Sequence, residues 1–417
     1  MTKAVRIVGA GLAGLSAAVE LAAAGYRVEI DEAAAGAGGR CRSYHDPQLG
    51  RVIDNGNHLV LSGNSAAMAY LDRIGAGGRL TGPDHAEFDF HDLRSGMRWR
   101  IAANDGPIPW WLLSPGRRTP GARLRDHLAL ARLMLAGTGA RVGDVVRSDG
   151  PFWERLIEPI MVAALNVPAK DGSARLAGAV LTQSLARGGR ASRPLIADPT
   201  LDAAFVAPAL RFLSGRRAAL RFGRRLRRIG FAGDRVAALD FGAGEEPVGD
   251  ATVVLAVPPW TAVELVPGLI APDRHSAIVN AHYACAAPKA ARRMTGLLGG
   301  LAEWVFAFDD RLSVTISAAD RLVEEDREVL ARRIWADVAA TLDLPPDALP
   351  RWQIVKEKRA TFAATPEQDA RRPPARTQWK NLALAGDWTQ TGLPATIEGA
   401  IRSGVAAARL AKAAAGA

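Results

Sequence analysis

Residues 9–14 read Gly9-Ala10-Gly11-Leu12-Ala13-Gly14, and this glycine pattern separates a short apolar run from a helical stretch. The apolar run is Val5-Arg6-Ile7-Val8, and the helical stretch extends from Leu12 to Ala24. In such a strand–turn–helix unit, Gly9 permits the tight turn, Gly11 lets a pyrophosphate approach the backbone, and Gly14 lets helix and strand pack closely. The helix N-terminus adds unpaired N–H groups and a positive dipole end. The pattern therefore predicts a dinucleotide-binding unit.

Two features after the first helix extend this prediction. A second apolar strand from Tyr26 to Ile30 is followed by Glu32, at the distance of about 20 residues expected for an acid that binds a ribose hydroxyl. Gly38-Gly39-Arg40 then forms a second glycine turn. Because a cation follows the glycines, we expect Gly39 and Arg40 to lie near the same phosphates.

A second signature lies about 370 residues further along the chain. The apolar strand Leu382-Ala383-Leu384-Ala385 ends in Gly386-Asp387, and a helix is predicted to begin near Ile397. Together with residues 9–14, this ending resembles the FAD-dependent amine oxidase and phytoene desaturase superfamily. The resemblance implies FAD as cofactor, with Asp387 bonded to the ribityl chain and the backbone around Thr396 to Gly399 directed at the flavin pyrimidine ring. A helix N-terminus there would stabilise the negative charge of reduced flavin.

The predicted fold class is α/β, with a Rossmann-like FAD-binding domain of the GR2 type and an inserted α+β substrate domain. The FAD-binding domain is expected to be discontinuous (1–75, 195–265 and 376–417), and the substrate domain to comprise 76–194 and 266–375. Residues 122–136 and 324–341 are predicted to be helices, and residues 305–308 and 312–317 to be paired strands. The predicted cofactor-binding residues are Gly9, Gly11, Leu12, Ala13, Gly14, Glu32, Gly39, Arg40, Gly56, Asn57, Gly386, Asp387, Thr396 and Ile397.

Composition supports a globular enzyme. The 417 residues are 48% hydrophobic and 23% charged, which suggests two domains with ample core. Only two cysteines occur, Cys41 and Cys285, and they form no metal-binding spacing, which indicates a reducing, cytoplasmic setting and no metal. No signal peptide is expected at the N-terminus, and no apolar run approaches the length of a membrane span.

The net charge of +10 includes arginine clusters, among them Arg216-Arg217, Arg224-Arg225 and Arg371-Arg372. Such clusters are either solvated faces or surfaces that attract anionic lipid heads. No nucleic-acid motif accompanies them, so no nucleic-acid partner is expected.

The stretch Asp54-Asn55-Gly56-Asn57-His58 narrows the resemblance. It is similar to the Asp-Asn-Gly-Gln-His pattern of the squalene-associated FAD-dependent desaturases, a family also called hydroxysqualene dehydroxylases, although Asn57 stands where that family has Gln. The strand Glu303-Trp304-Val305-Phe306 also looks like theirs, and the resemblance covers essentially the whole chain. It implies removal of the hydroxyl of hydroxysqualene to give squalene for hopanoid synthesis, with reduced flavin as hydride source. It also implies an apolar isoprenoid substrate and squalene-synthase-like partner enzymes.

Candidate catalytic residues follow from this stretch. Loss of a hydroxyl from carbon needs protonation or charge stabilisation, and Asp54 and His58 are its titratable groups. Either is a candidate acid; the alternatives are that both fix the loop and contact flavin, or that they are structural. Trp304 and Phe306 are candidates for lining an apolar slot, or for core packing.

The segment Pro107-Ile108-Pro109-Trp110-Trp111-Leu112-Leu113, followed by Arg117-Arg118, has the composition of an interfacial docking loop. An apolar substrate would enter from a bilayer, so peripheral contact with the inner face of the cytoplasmic membrane is one interpretation. A packed cap over the substrate domain is the other.

Two alternative functions remain open at this point. One is another oxidoreductase of the same fold, a carotenoid desaturase or an amine oxidase. An amine oxidase would be favoured by a lysine near flavin N5 and an aromatic cage, and the sequence locates neither. The other is a non-enzymatic prenyl binder like the Rab GDP-dissociation inhibitors, against which the intact Gly386-Asp387 ending argues.

Overall fold

A parallel sheet of five strands carries the glycine turn, and its strands come from widely separated parts of the chain. The computed structural model describes residues 3–416. The strand order is β10-β2-β1-β14-β20, and every neighbouring pair is parallel. The strands are β1 Ala4–Val8, β2 Arg27–Asp31, β3 Ser43–Asp46, β4 Arg51–Asp54, β5 Leu59–Leu61, β6 Leu80–Thr81, β7 Glu87–Asp92, β8 Met97–Ala102, β9 Pro194–Ala197, β10 Ala219–Arg221, β11 Arg228–Ala232, β12 Arg235–Asp240, β13 Glu245–Pro247, β14 Thr252–Leu255, β15 His275–Tyr283, β16 Met294–Leu298, β17 Trp304–Ala307, β18 Leu312–Ile316, β19 Trp352–Phe362 and β20 Leu382–Leu384.

The helices surround this sheet and a second one. Short three-ten and π segments extend or connect several of them. The α-helices are α1 Leu12–Ala23, α2 Ser65–Arg73, α3 Leu128–Met134, α4 Val142–Val145, α5 Gly150–Phe152, α6 Glu158–Leu165, α7 Ala174–Gln183, α8 Ala207–Ser214, α9 Pro259–Leu265, α10 Arg327–Leu342, α11 Pro366–Ala370 and α12 Ile397–Gly416.

The two ends of the chain meet in the five-stranded sheet. Strand β14 lies between β1 and β20, and its apolar residues are buried, as is typical of a parallel strand covered on both faces. Helix α12 packs against α1, where a Cβ atom on Gly404 would lie 2.2 Å from the carbonyl oxygen of Ala13. Ser16 donates a hydrogen bond of 3.0 Å to the carbonyl of Ile401 across the same contact. The two signatures predicted to share one cofactor are therefore neighbours.

A seven-stranded mixed sheet forms the second layer, in the order β19-β15-β18-β17-β16-β7-β8. One face, which includes Val279, Tyr283 and Val314, packs in a core with residues of α10. Strand register places Asn280, Thr315, Trp304 and Phe90 on the opposite face. The predicted pairing of the strands at 305–308 and 312–317 is confirmed as antiparallel β17 and β18.

Each of the two large sheets draws its strands from particular segments of the chain. The five-stranded sheet draws on 1–75, 195–265 and 376–417, and the seven-stranded sheet on 76–194 and 266–375. Three short strands, β5, β9 and β6, form a separate small sheet that mixes these segments. The exact division into two domains stays a prediction.

Both predicted helices differ from the sequence-based ranges. The helix expected at 122–136 is a three-ten turn, Leu124–His127, followed by α3, because the Asp126 carboxylate accepts the Arg123 N–H at 2.7 Å and holds the tighter turn. The helix expected at 324–341 begins only at Arg327, because the Asp326 side chain caps it by accepting the N–H groups of Glu328 and Val329.

Part of the arginine-rich sequence is internal rather than a basic face. Asp31 is fully buried and accepts hydrogen bonds from Arg6, Arg221 and Arg224. Arg372 is likewise buried, with 1% of its surface exposed. The expectation of solvated clusters is therefore wrong at Arg372, whereas Arg221 and Arg224 are half-buried against the Asp31 carboxylate. Within residues 3–416, no helix has the length and apolar character of a membrane span.

Candidate flavin and substrate site

The three glycines of the first turn differ in what requires them. Gly9 has φ +104°, and a Cβ atom there would lie 2.3 Å from the carbonyl oxygen of Ala256. A Cβ on Gly14 would lie 1.9 Å from the carbonyl oxygen of Gly9. Gly11 has an ordinary φ of −71°, and a Cβ there would meet no atom within 4 Å. Gly9 and Gly14 are thus required by the fold itself, whereas Gly11 leaves room against which a pyrophosphate fits.

Glu32 lies beside this turn. Its carboxylate accepts the N–H of Ala10 at 2.6 Å and that of Ala34 at 2.8 Å, and the residue is half-buried. The neighbouring Asp31 is enclosed by arginines, so Glu32 is the acid at this strand end that a ribose could reach. The structure agrees with the choice of Glu32 on geometry, and its role stays a prediction.

The second glycine turn connects the two signatures. Gly38 donates a hydrogen bond of 2.8 Å to the carbonyl of Ala10, and a Cβ on Gly39 would lie 3.3 Å from Cα of Gly11. Arg40 donates to Asp387 at 2.7 Å and to the carbonyl of Ala360 at 2.7 Å. Burial lowers the pKa of Arg40, but the Asp387 carboxylate outweighs it and the pKa lies above its usual value. Arg40 is therefore a cation that joins the predicted phosphate side to the predicted ribityl side.

Buried side chains fix the position of the segment that follows β20. A Cβ on Gly386 would lie 2.2 Å from the indole nitrogen of Trp388, and the Gly386 N–H donates to Ser403 at 2.8 Å. Arg372 donates to the carbonyl of Asp387 at 3.0 Å, and it also contacts the carbonyl of Thr389. Asp387 is thereby fixed at the edge of the sheet with 5% of its surface exposed.

Helix α12 begins next to this segment, where it was predicted. The Thr396 hydroxyl accepts the N–H of Gly399 at 3.0 Å and so caps the helix, and Ile397 is buried. From Gly11 through Gly39 and Arg40 to Asp387, the predicted FAD residues form a continuous series of neighbours. These residues could bind an extended dinucleotide such as FAD. The open space beside Gly11 is the space that a side chain at this position would occupy.

The loop at residues 54–58 contains one tightly bound acid and one neutral histidine. Asp54 is buried and accepts hydrogen bonds from the Ser43 hydroxyl at 2.6 Å and the Leu201 N–H at 2.9 Å. Burial raises the pKa of Asp54, although these bonds and Arg311 oppose the rise. Burial, aided by the Arg40 cation, lowers the pKa of His58 to about 4. His58 is therefore uncharged near neutral pH, and the acid role proposed for it and for Asp54 stays untested.

The same loop meets the seven-stranded sheet through two residues that the sequence analysis missed. A Cβ on Gly56 would lie 2.8 Å from the side-chain nitrogen of Asn280. Asn57 donates a hydrogen bond of 3.2 Å to the Thr315 hydroxyl, which in turn donates to Asn280 at 2.8 Å. A polar Asn within the otherwise apolar run Ala277–Ala281 was the available signal, and nothing in the sequence indicated which loop it faces.

Aromatic side chains cover the remainder of this sheet face. Trp304 and Phe306 are both buried, with 7% and 4% of their surface exposed. Phe90 stacks on Trp99 at 5.3 Å between ring centroids and meets Trp304 edge-on at 5.6 Å. Trp304 thus belongs to an aromatic cluster, whereas Phe306 lines a small cavity together with Asn57 and His58.

Strand register places no lysine on this face within residues 3–416. Lys356 lies on β19 and pairs with Val279, whose side chain is on the opposite face of the sheet. Its ammonium group donates to the carbonyl of Val323 at 3.0 Å. Cys41, beside the second glycine turn, is buried, and burial raises its pKa to about 12, so it is a protonated structural thiol.

Comparison with known proteins agrees with this geometry. The profile of a family described as flavin containing amine oxidoreductase matches residues 12–411. An oxidoreductase from Methanosarcina mazei superposes with a TM-score of 0.72 at 13% identity, covering 96% of this chain and 99% of that one. Cyclohexylamine oxidase from Brevibacterium oxydans superposes with a TM-score of 0.69 at 17% identity, covering 99% of both chains. The chain belongs to the flavin containing amine oxidoreductase family, within which FAD is the cofactor.

Closer relatives specify the branch of that family. The hydroxysqualene dehydroxylase of Rhodopseudomonas palustris is 52% identical over 413 residues, covering 98% of each chain. The enzyme of the same name from Zymomonas mobilis is 48% identical, covering 97% of this chain and 98% of its own. The one from Sinorhizobium fredii is 48% identical over 99% of both chains. The branch is that of the hydroxysqualene dehydroxylases, as the resemblance at residues 54–58 predicted.

Proposed function

We propose that this protein removes the hydroxyl group of hydroxysqualene to give squalene, as an FAD-dependent oxidoreductase. The observation that carries the proposal is the identity of 48–52% over nearly the full chain with three hydroxysqualene dehydroxylases. The match to a zeta-carotene desaturase of Arabidopsis thaliana covers only 30% of this chain, at 33% identity. The carotenoid alternative therefore has weaker support.

The chemistry of the sheet face supports an apolar substrate. Phe90, Trp99, Trp304 and Phe306 supply an aromatic surface. The polar groups on the face include Asn280, Thr315 and Glu357, whose carboxylate accepts a hydrogen bond of 3.2 Å from Asn55. An amine oxidase would favour a lysine beside the flavin, and within the described strands the register places none on this face; the Glu357 carboxylate that it does place there is bonded to Asn55. A triterpene chain with one hydroxyl group fits these surroundings.

The chain's own residues have positioning and exclusion roles in this proposal. Bound FAD, once reduced, supplies the hydride that replaces the lost hydroxyl. Glu32, Arg40 and Asp387 bind and orient the cofactor, and the aromatic face excludes water from the reacting carbon. Because His58 is uncharged near neutral pH, we propose that it positions the loop and accepts or donates hydrogen bonds as a neutral imidazole.

The reaction can be tested directly. Chemically reduced holoenzyme, given hydroxysqualene without oxygen, should form squalene as the flavin absorbance of the oxidised form returns. Deuterium placed at flavin N5, with exchange controlled, should appear on the product carbon that lost oxygen. Turnover of a carotenoid or an amine without any squalene would reassign the protein to another branch of its family.

We also propose that the segment 108–135 docks on the cytoplasmic face of an anionic membrane, near squalene-synthase-like partner enzymes. Trp111 is buried, with 5% of its surface exposed, because it packs against His127, so the two-tryptophan docking loop becomes a one-tryptophan loop. The segment nevertheless holds six of the twelve exposed large apolar residues in the described chain: Ile108, Trp110, Leu113, Leu124, Leu128 and Leu135.

The positions of these residues support a single surface. The contact between Trp111 and His127, with 6.2 Å between ring centroids, holds the loop beside the turn that precedes α3. Exposed arginines lie between the apolar side chains, namely Arg117, Arg123, Arg125 and Arg132. Apolar groups that enter the headgroup region and cations that meet anionic lipid are the two components of reversible membrane binding.

The membrane proposal has a matched control within the chain. The triple variant Trp110→Ser/Leu113→Ser/Leu128→Ser should bind vesicles containing phosphatidylglycerol at least about tenfold more weakly. Ile270→Ser removes one apolar side chain outside the segment whose exposure, 63%, is close to the 61–62% of Trp110, Leu113 and Leu128, and this variant should bind like the unaltered protein. FAD content should be the same in all three proteins. Equal sedimentation of triple variant and control with these vesicles would refute the docking surface.

A further inference from the structure

An unpartnered oxygen lies between the loop at residues 54–58 and the aromatic face. Within the described residues, the side-chain oxygen Oδ1 of Asn57 is buried and has no hydrogen-bond donor. A buried acceptor without a partner costs about 1–3 kcal/mol, so such an atom is normally satisfied by something that binds there.

The orientation of the Asn57 amide is fixed by a network that starts from the backbone. Asn280 accepts the N–H of Asn57 at 3.4 Å through Oδ1 and donates to the carbonyl of Asn55 at 3.4 Å through Nδ2. Because a backbone N–H can only donate and a carbonyl can only accept, the Asn280 amide has one possible orientation.

The remaining orientations follow from that one. The Thr315 hydroxyl has a single proton, which it donates to Oδ1 of Asn280 at 2.8 Å. Its oxygen must therefore accept from Nδ2 of Asn57, at 3.2 Å. Oδ1 of Asn57 is consequently the acceptor left over, and turning the amide over would place two acceptors against each other.

A small cavity adjoins this residue. Its polar lining is Asp54, Asn57 and His58, and its apolar lining is Ile196, Ala197, Leu201, Phe306 and Phe308. It has room for about one water molecule. A neutral imidazole has one ring nitrogen that accepts hydrogen bonds, so an uncharged His58 can supply a second acceptor. The cavity thus combines apolar side chains with hydrogen-bond acceptors on Asn57 and His58, to which an O–H group can donate.

We infer that this cavity binds the hydroxyl oxygen of the substrate and holds it as it departs as water, with Asn57 Oδ1 as the acceptor. Replacing a carbon-bound hydroxyl by hydrogen breaks one C–O bond and forms one C–H bond. It consumes a hydride, which reduced flavin provides, and a proton from solvent, and it releases water. The hydroxyl has one O–H bond and the departing water has two, so two acceptors bind the leaving group more strongly as the reaction proceeds.

The inference rests on the proposed function, and a pair of ligands that differ in one hydroxyl tests it. Dissociation constants of hydroxysqualene and squalene would be measured on the oxidised holoenzyme in detergent micelles, from the change in flavin absorbance. Asn57→Leu keeps the size but removes the acceptor, so hydroxysqualene should bind about tenfold more weakly while squalene binding changes by less than about twofold. Thr315→Val, which releases the Asn57 amide, should cause a smaller loss of the same preference.

Ile196→Val is the matched control, because it enlarges the same cavity without removing a polar group. It should alter the binding of both ligands by the same factor. Equal losses for both ligands in Asn57→Leu, or no loss for either, would overturn the role of Asn57, and Thr315→Val decides the point if the leucine variant loses its FAD. Squalene formation by the unaltered enzyme together with either result overturns this inference alone. An enzyme that neither binds nor converts hydroxysqualene overturns the proposed function as well.

Discussion

At the scale of single residues, burial decides which titratable groups are available for chemistry. His58 was a candidate acid because it and Asp54 are the titratable groups of the stretch 54–58. Its surroundings lower its pKa to about 4, since burial and the Arg40 cation both disfavour the charged ring. The sequence shows that residue 58 is a histidine and which residues precede and follow it. It could not supply the cation, because Arg40 reaches this loop only in the folded protein.

A neutral His58 has a measurable consequence. His58→Gln keeps a neutral hydrogen-bonding side chain, so we expect squalene formation to fall by less than about a hundredfold, the lower limit for loss of a general acid. The pH profile of the rate should keep its shape between pH 6 and 8 in this variant. A larger loss, with disappearance of a limb of the profile near pH 6.5, would restore His58 as the proton donor.

Gly11 and Gly14 lie three residues apart, and substitution by alanine should affect different properties at the two positions. Gly11→Ala places a methyl group where no atom lies within 4 Å. The free energy of unfolding of the apoprotein should therefore differ by no more than about 1 kcal/mol from that of the unaltered apoprotein. Its FAD content should nevertheless fall sharply, because the methyl group occupies the pyrophosphate position. Gly14→Ala would press a methyl group to 1.9 Å from the Gly9 carbonyl and should destabilise the apoprotein itself. Calorimetry and flavin absorbance separate the two effects.

Glu32→Ala should weaken FAD binding by roughly 1.5–3 kcal/mol, the value of a charge-assisted hydrogen bond. Glu32→Gln should lose less, because one amide oxygen still accepts the N–H of Ala10 or Ala34. Isothermal titration of apoprotein with FAD gives both values. Equal affinity in all three proteins would mean that this carboxylate serves only the turn.

At the scale of elements, strongly patterned segments were predictable and their contacts were not. Apolar runs bounded by turns gave β17, β18 and the start of α12, because alternation and glycine punctuation are local properties. The turn before α3 was missed because a single carboxylate, Asp126, decides between the two helix types. Asn280 and Thr315 were missed as site residues because their meaning depends on a loop more than 200 positions away.

Arg372 makes the segment after β20 dependent on one buried cation. It donates to the carbonyl of Asp387 and contacts the Asp369 carboxylate at 3.2 Å, and its side chain has no exposed surface. Arg372→Met keeps the bulk but leaves those acceptors unpaired, so we expect the free energy of unfolding to fall by about 3–5 kcal/mol. FAD affinity should fall in parallel, because Asp387 loses its support. Urea unfolding of the apoprotein measures the first effect, and unchanged stability would contradict it.

At the scale of the whole molecule, buried histidines make stability depend on pH. His282 has no exposed surface, bonds to Ser313 at 2.8 Å, and burial lowers its pKa to about 3. Between that value and the usual 6.5, the unfolded chain binds a proton that the native protein does not. The stability that His282 contributes is therefore complete above pH 6.5 and is lost as pH falls, by about 1.4 kcal/mol per pH unit.

A variant lacking this ring isolates the effect. His282→Asn should cost stability at pH 7, and the difference in unfolding free energy from the unaltered protein should shrink between pH 6.5 and 5. Glu303 acts in the opposite sense, because burial raises its pKa to about 7 and its contribution falls as pH rises from 4.5. Since Glu303 is present in both proteins, its effect cancels in the difference. A difference that stays constant with pH would show that folding does not lower the pKa of His282.

The packing of α12 against α1 also has a consequence for how the cell makes this protein. Translation produces the first glycine turn about 370 residues before β20 and α12. The nascent chain therefore exposes the glycine turn at residues 9–14 before β20 and α12, which pack beside it, have been made. Flavin loading must therefore wait until α12 has been synthesised, and chains released after residue 381 should remain colourless and become substrates for proteolysis.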